Sequence, residues 1–229
     1  MNWTMSLVLV RGGLLAAGAA LPAAAQAVEL SANVAAVTDY RFRGISLSDR
    51  DPALQGGVDL GFDSGLYVGG WASTIADYGG ADVEVDAFVG YAAEVGLLDY
   101  SVAATAYLYP GGDGVNYGEL QGEVGGSLGP ARLALEAAYV PDQKNTATDN
   151  FYIGPKLSVG LPLTPLTFTL RGGYESGFYD DKFDWEAGVD YSLGPVTASF
   201  AVVGSTDGGA TESGRLGRTG VVLGARLGF

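Results

Sequence analysis

From residue 28 onward the chain alternates apolar and polar side chains with a period of two. In Phe183-Asp184-Trp185-Glu186-Ala187-Gly188-Val189-Asp190-Tyr191-Ser192-Leu193, one face gathers Phe, Trp, Ala, Val, Tyr and Leu, and the other Asp, Glu, Gly, Asp and Ser. Successive side chains of an extended strand point to opposite faces, so this is a strand with one apolar and one acidic face. In the same way Val83, Val85, Ala87, Val89 and Tyr91 oppose Asp82, Glu84, Asp86, Phe88 and Gly90. Leu166, Phe168, Leu170, Gly172 and Tyr174 oppose Thr167, Thr169, Arg171, Gly173 and Glu175. The pattern predicts twelve strands, over 29–43, 53–63, 65–75, 82–94, 98–109, 116–128, 131–140, 150–161, 166–176, 182–193, 196–205 and 218–229.

The predicted connections come in two kinds. Tight turns fall at Asp63-Ser64-Gly65, Val95-Gly96-Leu97, Gly129-Pro130, Pro162 to Pro165 and Gly194-Pro195. Longer, more polar loops fall at Gly44 to Pro52, Ala76 to Ala81, Pro110 to Val115, Pro141 to Asp149, Gly177 to Asp181 and Thr206 to Gly217. Short turns on one rim and long loops on the other are the layout of an outer-membrane barrel. The expected fold is therefore all-β, a transmembrane antiparallel up-and-down β-barrel of twelve strands over residues 28–229, with both chain ends on the periplasmic side.

Two further patterns agree. The last strand places Val221, Leu223, Ala225, Leu227 and the terminal Phe229 on one face, the form of signal read by the outer-membrane assembly machinery. Aromatic residues on the apolar faces sort to the two rims: Phe62, Tyr91, Tyr100, Tyr191 and Phe229 to the short-turn side, Tyr40, Phe42, Tyr139, Phe151, Tyr174, Phe183 and Trp185 to the loop side. Two girdles suit a wall that meets lipid. A water-soluble barrel would read the same alternation inside out, but would need bulky residues along the whole apolar face, which here is rich in Gly, Ala and Val.

Residues 1–27 differ from the rest. They hold no acidic residue, an apolar Leu/Ala/Gly run from Leu14 to Leu21, then Pro22 and the small-residue stretch to Ala27. That order predicts a cleavable signal peptide and export to the outer membrane. Beyond it no apolar run is long enough for a membrane-spanning helix.

Composition and charge narrow the chemistry. The chain has 37 Gly, no Cys and no His. It therefore has no disulfide, no Ser–His or Cys–His nucleophile pair and no His-ligated zinc or haem. With 26 acidic against 12 basic residues it repels nucleic acid. No catalytic residue, cofactor or metal is expected. The close carboxylates Asp82/Glu84/Asp86 and Asp184/Glu186 could be read as acid–base pairs or calcium ligands, but residues two apart share a strand face anyway. Gly111-Gly112-Asp113-Gly114 and Asp207-Gly208-Gly209 lack the rest of a calcium loop and read as mobile loops.

If the apolar face meets lipid, the other lines a lumen. The pore-lining candidates are Arg41, Arg43, Asp59, Glu84, Asp86, Glu119, Glu123, Glu136, Lys156, Arg171, Asp184, Glu186, Asp190 and Arg226. Acids outnumber bases, so a water-filled bore would favour small cations. The expectation is a porin-like channel for passive diffusion of small solutes or ions; the alternative is a structural or partner-binding barrel closed by salt bridges. Its surroundings would be outer-membrane lipid. The glycine-rich segments 117–129 and 220–228 could pack barrel against barrel in a homo-oligomer or simply thin the wall.

The run TDYRFRGISLSDRDPALQGGVDL, followed by SGLYVGGWAS, ADVEVDAFVGYA and YLYPGG, resembles the TorF-type porins, also described as a conserved family of exported proteobacterial proteins of unknown function. The resemblance covers the exported chain and is densest in its first third. It implies an outer-membrane β-barrel with a porin role, and supplies no catalytic residues. Within that run, strand parity turns Tyr40 and Phe42 to lipid and Arg41 and Arg43 inward at the loop-side mouth, near carboxylates such as Asp59, where they would narrow an acidic pore.

Overall fold

The segments of period-two alternation each form a strand in a computed structural model of the protein, which describes residues 28–178, 181–206 and 214–229. The predicted leader lies outside the described residues. The strands are β1 (Val28–Val37), β2 (Arg41–Phe42), β3 (Ile45–Ser46), β4 (Ala53–Phe62), β5 (Leu66–Tyr78), β6 (Ala81–Val95), β7 (Leu98–Leu108), β8 (Tyr117–Leu128), β9 (Ala131–Val140), β10 (Asn150–Gly160), β11 (Leu166–Gly177), β12 (Lys182–Leu193), β13 (Val196–Ser205) and β14 (Gly220–Gly228). All but β2 and β3 close into one antiparallel barrel, each strand pairing with its neighbours in the chain and β1 closing on β14. Twelve strands make the wall, and closure leaves no unpaired edge.

Side-chain burial follows the alternation. Leu30, Leu54, Val89, Leu120, Leu170, Phe200 and Leu223 are exposed on the outer surface, while Gln55, Glu84, Glu119, Arg171 and Asp184 are buried inside. This is the reverse of a water-soluble protein and suits a wall in hydrocarbon, where backbone groups satisfy one another and apolar side chains face lipid. Tyr91, Tyr100, Tyr191 and Phe229 project outward near the short-turn rim, and Tyr139, Phe151, Phe183 and Trp185 near the loop rim.

Two expectations need correction. The connection expected over Ala76 to Ala81 is not a loop: β5 runs on to Tyr78, its pairing with β6 shifts register between Thr74 and Tyr78, and a two-residue turn follows. That turn is Gly79-Gly80, with φ of 62° and 99°, a left-handed backbone that glycine adopts without steric penalty.

The second correction concerns the first strand. It leaves the wall at Val37, not at Arg43, and residues 38–52 turn into the barrel and form the small hairpin β2–β3. Tyr40 is buried, and neither it nor Phe42 belongs to the lipid-facing girdle. Tyr40 packs with Val37, Ala53, Ala201, Val203 and Val222, and Phe42 packs against the cluster of Ala81, Tyr107 and Tyr109. The inner face of β13, β14, β1 and β4 is apolar at this level, which gives the loop a hydrophobic seat.

Candidate pore constriction

The inward loop is built by its own charged residues. The Asp39 carboxylate accepts from Arg41 Nε (2.6 Å) and from Ser46 Oγ (2.6 Å). Arg41 Nη1 also donates to the carbonyls of Gly44 (3.0 Å), Leu216 (2.9 Å) and Arg218 (3.0 Å). Arg41 thus braces the hairpin and ties it to the segment before β14. The backbone adds Leu47 N to Tyr40 O (2.8 Å) and Ala76 N to Leu47 O (2.8 Å). Between the two hairpin strands Arg43 has φ 45° and Gly44 φ 82°. A Cβ on Gly44 would stand 2.7 Å from the Gly204 carbonyl oxygen and 2.9 Å from Asp184 Cβ, so only glycine passes there.

Arg43 carries the loop's charge to the far wall. Its Nη1 donates to Glu175 Oε1 (3.0 Å), and its Nη2 lies 2.9 Å from Oε1 and 2.8 Å from Oε2 of Glu119. The guanidinium carbon sits 4.6 Å from the centre of the Phe42 ring and 4.5 Å from that of Tyr152, between two aromatic faces. Burial lowers the affinity of this guanidinium for its proton, and Glu119 and Glu175 more than reverse the effect, so it stays charged. On the other side, Tyr40 Oη and Tyr109 Oη donate to the two oxygens of buried Glu84 (2.7 and 2.8 Å). Burial, followed by the charges of Glu84 and Asp86, pushes the Tyr40 phenol well above its usual range, so it acts as a donor.

These contacts correct one more expectation. Arg41 does not line a bore, and the carboxylates that hold Arg43 are Glu119 and Glu175, not Asp59. Asp59 is on the inner face of β4, facing Ser31 and Gly69 near the short-turn end. The other candidates fall into two levels. At the loop-side level, Lys182 pairs with Glu175, Arg171 with Asp184 (3.3 Å) and with Glu136 (4.0 Å), and Lys156 with Glu136 (3.5 Å). Asp86 points inward next to Glu84, and its Oδ1 is buried with no hydrogen-bond partner among the described residues.

Nearer the short turns, Arg132 bridges Asp99 and Glu123. Asp190 faces Thr167 across β11–β12 and Arg226 faces Thr197 across β13–β14, while Glu186 faces Arg171 and so lies at the boundary between the two levels. The two levels differ in access to water. The side chains of Arg43, Glu119, Glu175 and Lys182 are 1–6% exposed, against 23–37% for Glu123, Arg132 and Asp99. The loop-side half of the lumen is thus filled by the hairpin and its salt bridges, and the short-turn half is a charged vestibule.

Lys182 and Tyr152 were missing from the candidate residues. Parity placed Glu175 on the inner face with Arg171, and the same parity along β12, shared with Asp184, was the signal available for Lys182. Tyr152 occupies an inward position on β10, where the neighbouring inward glycines Gly154 and Gly173 leave room for its ring; its hydroxyl stands 2.1 Å from where a Cβ on Gly173 would be.

The chain belongs to the Gcw_chp family, described as bacterial proteins of unknown function, whose model matches residues 21–219. No curated protein matches the sequence. Among solved structures the fold is similar to a KdgM porin in complex with disordered oligogalacturonate (TM-score 0.62, 8% identity, covering 87% of this chain and 99% of that one). A second KdgM porin structure is similar at TM-score 0.61 and 10% identity, with the same coverage. The outer membrane phospholipase A from Escherichia coli is similar at TM-score 0.51 and 11% identity, covering 86% of this chain and 89% of that one. At such identities the likeness is one of fold. The family description carries no function, so the resemblance to TorF-type porins rests on the quoted residues.

Proposed function

We propose that this Gcw_chp member is a porin-like channel of the outer membrane, for passive diffusion of small solutes, that favours cations and is narrowed on its loop side by residues 38–52. The observation that carries this reading is the inner face itself. A wall that exposes Leu and Val outward and turns Asp, Glu, Arg and Lys inward has a use for a polar interior. Because carboxylates exceed bases there, the vestibule attracts cations and repels anions.

The charge pattern also separates this chain from its structural neighbour. Oligogalacturonate is a chain of sugar carboxylates, and an acidic lumen opposes entry of such a polyanion. The phospholipase likeness carries no catalytic assignment, since the chain has no histidine to activate a serine. The leader at 1–27 supports export, and Phe229, exposed at the end of the outward face of β14, fits the role of an assembly signal.

One observation favours a second reading. The buried pairs at the loop-side level could make a closed barrel whose loops bind a partner. Reversal potentials in planar bilayers under a potassium chloride gradient separate the two. The channel reading expects discrete steps and a potential on the cation-selective side, most marked at low salt because charges are screened within about 10 Å at 0.1 M. An anion-selective potential contradicts the cation preference, and silence from both the parent and a loop-released variant supports the closed barrel.

A further inference from the structure

The pocket that holds Arg43 has features a loop anchor alone does not need. Its wall comes from three strands: Glu119 on β8, Tyr152 on β10 and Glu175 on β11. Both carboxylates are held by other wall groups. Gln121 Nε2 (2.7 Å) and Tyr107 Oη (3.3 Å) donate to Glu119, and Asn150 Nδ2 (3.0 Å) and Lys182 to Glu175. With the loop removed, two oriented carboxylates and one aromatic face would remain around a gap the size of a guanidinium. Charge gives the same count: Glu119 and Glu175 carry two negative charges and Lys182 supplies one positive, so one further cation completes the pocket.

We propose that this pocket is a binding site for small guanidinium-type organic cations, which Arg43 fills as a tethered occupant while the loop is folded in. A guanidinium is planar, donates in a fork that matches two carboxylates and stacks on an aromatic ring; sodium and ammonium have no flat face to lay on Tyr152. Arg43 holds the site against free ligand because its tether gives it an effective concentration in the millimolar range or above. Positive φ at Arg43, Asp49 and Arg50 (45°, 56° and 71°) opposes the folded-in state, since the left-handed region is sterically costly for a residue with a Cβ. That strain makes exchange of the loop for a solute accessible. The pocket stands independently of conduction; its place on a permeation path rests on the channel reading above.

The test uses full-length Arg43→Ala purified in detergent, with Arg43→Gln as the second variant should alanine fail to fold. Thermal unfolding is followed with millimolar methylguanidinium, and with sodium or urea as controls at equal ionic strength. Methylguanidinium is expected to raise the Tm of the variant saturably, to leave the parent unchanged, and to lose its effect when Glu119→Gln is added. No saturable shift beyond that of sodium, or an equal shift with Glu119→Gln present, overturns the site. A saturable shift in a variant that passes no current upholds the site and overturns the channel reading instead.

Discussion

Arg43→Ala is expected to give a clearly larger unit conductance than the parent in planar bilayers, with the cation preference kept or increased. The substitution removes bonds from the guanidinium to Glu119 and to Glu175, both of them charge-assisted. At about 1.5–3 kcal/mol for each hydrogen bond to a charged group, the ratio of loop-in to loop-out falls by about a hundredfold or more. If the loop stays in place, two carboxylates remain buried with one lysine between them. Breaking a buried pair in this way costs about 3–5 kcal/mol, which water entering behind a displaced loop relieves. Either route moves the equilibrium toward an open mouth. Unchanged conductance would mean that the apolar seat around Tyr40 holds the hairpin without Arg43.

The second large effect concerns which face meets lipid. Leu170, in the middle of β11, is exposed on the outer face, and its neighbour Thr169 points inward. Leu170→Arg places a charge against hydrocarbon and is expected to lower stability by about 2–4 kcal/mol, the range for a lipid-facing arginine near the bilayer midplane. Thr169→Arg enters a lumen already rich in carboxylates and is expected to change stability far less. Urea titration of folding into phospholipid vesicles compares the two. Equal losses would contradict the assignment of faces, and a larger loss for Thr169→Arg would favour the soluble arrangement.

The barrel was legible because period-two alternation is strict and repeated. Strands β9, β12 and β13 fall at the expected bounds 131–140, 182–193 and 196–205. The inward loop was not legible, for a physical reason. Thr38 to Arg43 continues the alternation of β1, so a local rule extends the strand through it, whereas the chain turns inward because of contacts far away in sequence. Arg43 meets residues 76 and 132 positions away, and Arg41 meets carbonyls 175 and 177 positions away. Two traces of the loop's seat were nevertheless present. Phe200-Ala201-Val202-Val203 in β13 is apolar on both faces, where a strand between lipid and a wet lumen has no reason to be. Arg43-Gly44, with Phe42 before it and Ile45 after it, also has the shape of a turn carrying a charged tip. Of the candidate site, parity placed Glu119, Glu136, Arg171 and Asp184 on the inner face, but it could not say which of them the loop would reach.

Residues 38–52 lie inside the barrel, pinned by Arg43. The chain has no cysteine, so a single introduced one reports without background. Ser46, at 1% exposure, sits in the hairpin beside Asp39 and is shielded from both rims. A Ser46→Cys protein in lipid vesicles, treated with a membrane-impermeant maleimide, is predicted to stay unlabelled with Arg43 intact and to be labelled rapidly when Arg43→Ala is added. Rapid labelling with Arg43 intact would mean that the hairpin does not sit shielded inside the barrel.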